Sequence, residues 1–158
     1  MVNIRKIQNR DEICKCAELM TDSEPWITLG RSYEDSIKIL SDSTKEVYVG
    51  ISSDILTGFI IIDMNGPFRG YLQTVCIKPE WRNKGIGSKL IKFAEERIFR
   101  ESPNVFMCVS SFNKEAQKLY NRLGYMVAGE LTDYIVPGHS EILLRKTTGP
   151  MSTFIRVF

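Results

Sequence analysis

The chain has 158 residues, 43% of them apolar and 25% charged, with a formal net charge of +2. Those are the proportions of one ordinary globular domain, long enough to bury a substantial core. So small a charge, with no basic block, argues against a nucleic-acid partner. Met1–Lys6 lacks the apolar core of a secretory signal, and no apolar run approaches the roughly 18 residues that span a membrane, so a cytoplasmic protein with no membrane partner is expected.

Val2–Lys6 reads as a short strand and Asp11–Met20 as a helix, which Pro25 keeps from continuing through Asp22–Trp26. A second helix is predicted over Ser32–Leu40, with Tyr33, Ile37 and Leu40 on one side. Glu46–Ser52 and Gly58–Met64 read as strands joined by a turn around Ser53-Asp54, which predicts a hairpin. Asn65-Gly66-Pro67 marks a turn, Gly70–Ile77 the next strand, and Pro79 its end. Ile86, Leu90, Ile91, Ala94 and Ile98 recur at helical spacing within Gly85–Arg100. Val105–Val109 is nearly all apolar, the pattern of a strand buried on both faces. Asn113–Leu123 forms another helix with Gly124 placed as its C-terminal cap, and Tyr125–Leu131 and Glu141–Arg145 give two last strands. The order β-α-α-β-β-β-α-β-α-β-β predicts a single-domain α/β fold, a mixed, mostly antiparallel sheet flanked by helices. Residues 1–146 make that domain. The apolar tail, residues 147–158, either adds a strand at a sheet edge or covers a second subunit in a homodimer.

Cys14, Cys16, Cys76 and Cys108 follow no zinc spacing, and His139 is the single histidine, so no metal is expected. Cys14 and Cys16, two apart on a helix, point about 200° apart and cannot clasp one ion. Small buried thiols are the expectation for all four.

The most informative stretch is Trp81-Arg82-Asn83-Lys84-Gly85-Ile86-Gly87-Ser88-Lys89-Leu90, which follows a strand and opens a helix. Two glycines one residue apart expose backbone N–H groups, the helix start adds its positive dipole end, and Arg82, Lys84 and Lys89 add charge. That combination suits a phosphorylated ligand. A mononucleotide P-loop needs a different length and order, and a dinucleotide fingerprint needs glycine where Leu90 stands.

Arg82-Asn83-Lys84-Gly85-Ile86-Gly87 resembles the acyl-coenzyme A loop, Arg/Gln-x-x-Gly-x-Gly/Ala, of the GNAT superfamily of N-acetyltransferases. Val75-Cys76-Ile77-Lys78-Pro79 ahead of it resembles the family's central strand. Asn113 with Ala116 and Tyr120, followed by Leu123-Gly124-Tyr125, matches a second family motif, and the resemblance covers roughly Val2–Lys146. It implies an enzyme that carries acetyl from acetyl-CoA, an acyl-donor cosubstrate, directly to the primary amine of a protein or small-molecule acceptor. The alternative is a CoA-binding regulatory module that keeps the fold without catalysis. The N–H groups of Arg82–Ser88 (Arg82, Asn83, Lys84, Gly85, Ile86, Gly87 and Ser88) would cradle the pyrophosphate, and Val75, Cys76 and Ile77 would pair with the pantetheine arm. Lys84, Lys89, Lys114 and Lys118 are candidates for the 3′-phosphate.

A thioester attacked directly by an amine needs both reactants positioned, a base for the amine and an acid for the departing thiolate. Asn113, Ala116 and Tyr120 share one helix face, and the resemblance makes Asn113 a ligand of the pantetheine arm and Tyr120 the general acid. No general base is legible. Some family members carry a glutamate where Tyr71 stands and others where Cys108 stands, and neither is a base at neutral pH. Glu24, Glu130, Asp133 or His139 would have to serve through water. The family lines its acceptor cleft with the loop Asp22–Arg31 and the last hairpin, which makes Glu24, Trp26, Tyr33 and Tyr71 candidate substrate-binding residues.

Overall fold

The computed structural model describes residues 1–158. Its strands are β1 (Asn3–Lys6), β2 (Lys45–Ser52), β3 (Ile55–Asp63), β4 (Tyr71–Ile77), β5 (Asn104–Ser110), β6 (Met126–Leu131) and β7 (Glu141–Thr147). Its helices are α1 (Arg10–Thr21), α2 (Tyr33–Leu40), α3 (Ile86–Ile98) and α4 (Lys114–Arg122). Every predicted element is present in the predicted order. Local chemistry sets the ends: Asn9 caps α1, accepting from the Glu12 N–H at 3.0 Å, and Ser32 with Asp35 forms a capping box on α2. The β2–β3 hairpin turns on Ser53 and Asp54, both at positive φ (47° and 64°), which matches strand twist and lets β3 begin at Ile55, three residues earlier than predicted.

The seven strands form one sheet in the order β1-β2-β3-β4-β5-β7-β6. All neighbours run antiparallel except β4 and β5, the pair that α3 connects. On one face α3 buries Ile86, Leu90, Ile91, Ala94 and Ile98 against Ile60, Ile62, Leu72, Val105 and Met107. Each of the buried Leu and Ile side chains contributes about 1.5–3 kcal/mol, which holds α3 and its leading loop to the sheet. On the other face α1 and α2 pack Cys16, Ala17, Leu19, Met20 and Leu40 on Val47, Val49, Phe59, Ile61 and Cys76.

Three expectations change. Cys16 and Cys76 are buried thiols, with Cys76 pushed up to about 12 by desolvation, but Cys14 and Cys108 are only half-buried. β5 is not buried on both faces: Val105, Met107 and Val109 on one face are buried, whereas Phe106 and Cys108 on the other keep partial exposure. The tail adds no strand. It makes one short turn at Met151–Thr153, then a Val157 N–H bond to the Arg100 carbonyl (3.0 Å) and an Arg156–Glu101 ion pair (3.0 Å), with Ile155 and Phe158 exposed.

Candidate active site

β4 and β5 pair only at Tyr71↔Phe106 and Leu72↔Met107. Immediately beyond, β4 carries a bulge: Leu72 and Thr74 pair with successive residues of β3, so Gln73 has no partner there. The strands part from that point, and a cleft of about 1220 Å³ opens between them. Its walls are β4 from Tyr71 to Ile77, β5 from Met107 to Ser110, and Asn113, Ala116, Leu119 and Tyr120 of α4 and its cap. The α1–α2 loop (Glu24, Pro25, Trp26) forms one lip, and Tyr134 and Ile135 of the β6–β7 loop form the other. Along the cleft the outward backbone groups of β4 have no neighbouring strand, and the Gln73 side-chain oxygen is buried without a partner. An extended, amide-bearing chain supplies what such an edge lacks.

At one end of the cleft the main chain leaves a run of N–H groups unpartnered, an arrangement that could take an anion. The N–H groups from Asn83 to Ser88 donate to nothing in the protein; the first bond of α3 is Lys89 N–H to the Gly85 carbonyl at 3.1 Å. Asn83 (φ 58°) and Gly85 (φ 76°) take left-handed conformations within this run of free donors. Gly85 is needed for that angle, since a Cβ there would meet nothing within 4 Å. Arg82 serves the loop itself: its Nε donates to the Ile77 carbonyl (3.1 Å) and its Nη2 reaches Ser23 Oγ (3.5 Å), tying the loop to β4 and to the end of α1. Lys84 lies over the Trp81 ring at 5.1 Å, and Lys118 pairs with Glu115 at 3.1 Å.

The cleft is also lined by Asn113, Tyr120, Tyr71 with Cys108, and Glu141 with Ser110. Asn113 caps α4, its Oδ1 accepting from Ala116 N–H at 3.3 Å, and two turns on Tyr120 packs edge-on to Tyr125 at 6.2 Å between ring centres. Burial alone pushes the Tyr120 phenol up to about 12, so it holds its proton at neutral pH. Tyr71 of β4 and Cys108 of β5 lie close together on the cleft wall; desolvation pushes both pKa values up, so neither is ionised at neutral pH. Glu141, the first residue of β7, stands opposite Ser110 of β5 and is 5% exposed. Its Oε1 accepts from Ser110 Oγ at 2.9 Å, its Oε2 has no partner, and burial raises its pKa against that one bond.

Of the residues predicted for the cofactor, Val75, Cys76, Ile77, Arg82, Asn83, Gly87, Asn113, Ala116 and Tyr120 all line the cleft. Lys84, Gly85 and Ser88 complete the loop beside it, whereas the Ile86 side chain turns into the core, leaving only its N–H for a ligand. Of the residues expected to bind the acceptor, Glu24, Trp26 and Tyr71 line the same cleft, with Trp26 also 8% exposed in the core below its loop. Tyr33 does not: it packs on α1 beside Cys14, because its helical face turns to the sheet and away from the loop. His139 stacks edge-on to Phe112 at 4.8 Å, Asp133 accepts from Gly138 N–H, and Glu130 is exposed on β6; none lines the cleft. Glu141 is the functional candidate the sequence reading missed. The signal available was an acidic residue opening the apolar run Ile142-Leu143-Leu144.

Fold and cleft together define an α/β domain with a long cleft in a split sheet, tipped at one end by unpartnered main-chain N–H groups. A family model described as the acetyltransferase (GNAT) family matches residues 7–125, and the chain belongs to that family. Over 64 residues it is 41% identical to thialysine N-epsilon-acetyltransferase of Bos taurus, a match that covers 40% of this chain and 36% of that protein's length. In fold it is similar to Arabidopsis thaliana NAA60 solved with a bisubstrate analogue (TM-score 0.77, 16% identity, 93% of this chain and 98% of that one). It is also similar to an aminoglycoside 6'-N-acetyltransferase complexed with coenzyme A (TM-score 0.74, 17% identity, 94% and 98%). No helix of the chain is long and apolar enough to cross a membrane.

Proposed function

We propose that the chain is an acetyl-CoA-dependent N-acetyltransferase that acts by direct transfer to a primary amine. The observation that carries this reading is the continuity of the site: unpartnered N–H groups from Asn83 to Ser88 open straight into a cleft walled by the free edge of β4 and by Tyr120. The cosubstrate supplies an electrophilic thioester carbonyl. The loop N–H groups hold its diphosphate, and the edge of β4 from Val75 to Ile77 aligns the arm as an added strand. Asn113 and Ala116 flank that arm, and Tyr120 gives a proton to the sulfur as it departs. Placing both reactants in one cleft removes much of the entropic barrier to a bimolecular step.

The curated relative's name points to an amine on a lysine-like side chain, and the lips of the cleft suit a slender cationic acceptor: Trp26 and Tyr134 give apolar walls and Glu24 a negative charge. Four free thiols fit a reducing compartment such as the cytoplasm. The test is thiol release from acetyl-CoA with thialysine, L-lysine, spermidine, a free-N-terminal peptide and an aminoglycoside as probes. We expect saturable release that requires one of these amines. Tight CoA binding with no release for any of them would favour a regulatory module instead.

A further inference from the structure

Resting on that reading, we propose that Glu141 is the general base: its Oε2 receives the proton of the acceptor's ammonium group, so the enzyme takes its substrate in the cationic form. Three observations carry this. Glu141 lines the cleft that Tyr120 lines. Its carboxylate is almost wholly buried, and no lysine, arginine or histidine pairs with it. One oxygen is anchored on Ser110 while the other has no partner.

A buried carboxylate oxygen without a hydrogen bond costs the fold free energy unless a ligand completes it. An entering ammonium does so, supplying both the donor and the opposite charge. The groups that face Glu141 are Ser110 and Cys108 of β5 and Tyr71 of β4, none of them charged at neutral pH. Burial raises the Glu141 pKa towards the working pH, which suits a base that must also give its proton back. The carboxylates named from sequence all lie elsewhere or at the rim: Glu24 is exposed and spends its oxygens on Thr28.

The protons and bonds balance. Oε2 takes one proton from R–NH3⁺; the freed lone pair forms the C–N bond at the thioester carbonyl as the C–S bond breaks. The thiolate takes the Tyr120 proton. Nitrogen loses its second surplus proton to water, water reprotonates the phenoxide, and Glu141 releases its proton to solvent, for a net loss of one proton per turnover.

The experiment is the pH dependence of kcat/KM for the best amine of the panel, with Glu141→Gln and Ser110→Ala beside the wild-type protein, and CoA affinity measured for each. For Glu141→Gln we expect a fall of about 10²-fold or more near pH 7. That loss should shrink as pH approaches the amine's own pKa, where neutral amine exists without a base, with CoA affinity within twofold. Ser110→Ala, which leaves the carboxylate in place but less stabilised, should move the acid limb of the profile to higher pH.

Thermal stability gives an independent reading, because a raised pKa means the buried carboxylate costs stability above that pKa and the cost fades as pH falls through it. Glu141→Gln should therefore match or exceed the wild-type Tm at pH 8, with the gap closing towards acid. A merely structural Glu141 would instead show a lower Tm and a rate loss equal at every pH. Wild-type kcat/KM in Glu141→Gln, or an unmoved acid limb in both variants, overturns the assignment alone. A wild-type protein that turns over no amine overturns the acetyltransferase reading and this assignment together.

Discussion

Tyr120 shows how little chemistry a residue needs when its surroundings are fixed. A phenol buried beside Tyr125, with no charge to lower its pKa, stays protonated until about 12 and faces the cleft from the second turn of α4. At neutral pH such a group can give up a proton but not take one, which is the role proposed for it beside a departing thiolate. Tyr120→Phe keeps the ring packing and deletes the proton; we expect kcat to fall about 10²-fold while acetyl-CoA affinity stays within twofold, by steady-state kinetics beside a binding titration. An unchanged kcat would remove Tyr120 from the mechanism. Tyr120 was legible in the sequence because its spacing from Asn113 is local, seven residues along one helix. Glu141 was not. Its partner Ser110 is 31 residues away in the chain, and only the β5–β7 register brings the two together.

At the scale of elements, β4 decides where the site is. It is paired on both sides at its start and free on one side afterwards, with the bulge at Gln73 as the switch. Gly70 sets the start: at φ 90°, it passes so close to β5 that a Cβ would lie 2.5 Å from the Asn104 carbonyl oxygen and 2.6 Å from Ile98. Gly70→Ala therefore meets both a left-handed backbone and a rigid wall, for a destabilisation of about 2–5 kcal/mol and a Tm lower by roughly 5–15 °C. A Tm within 2 °C of wild type would show that β4 and β5 are not locked there. The strand itself was legible from Tyr71–Ile77, since apolar residues and β-branching mark it. Its departure from β5 was not, because Leu-Gln-Thr carries no sequence mark of a bulge; the extra residue exists only in the pairing with β3.

For the molecule as a whole, helix periodicity, turn residues and caps were enough to give the order of elements, because each is a short-range property of the chain. The sheet order, with β7 between β5 and β6, was not among the sequence expectations and comes from the structure. What local signals could not supply is the way two cores share the sheet. α3 on one face and α1 with α2 on the other clamp β3, whose Phe59, Ile60, Ile61 and Ile62 are all fully buried. That rigid centre lets the sheet split at β4 and β5 without losing its fold, and it fixes the loop Asn83–Ser88 at the mouth of the split. The central claim is that bare main chain there clasps a diphosphate. Titration calorimetry with CoA and, separately, with pantetheine, which lacks the diphosphate, tests it most directly. The account predicts a saturable heat with CoA at micromolar levels and binding at least about 100-fold weaker with pantetheine, a difference of about 2.7 kcal/mol. Equal affinity for the two, or no heat with CoA at near-millimolar levels, would contradict it.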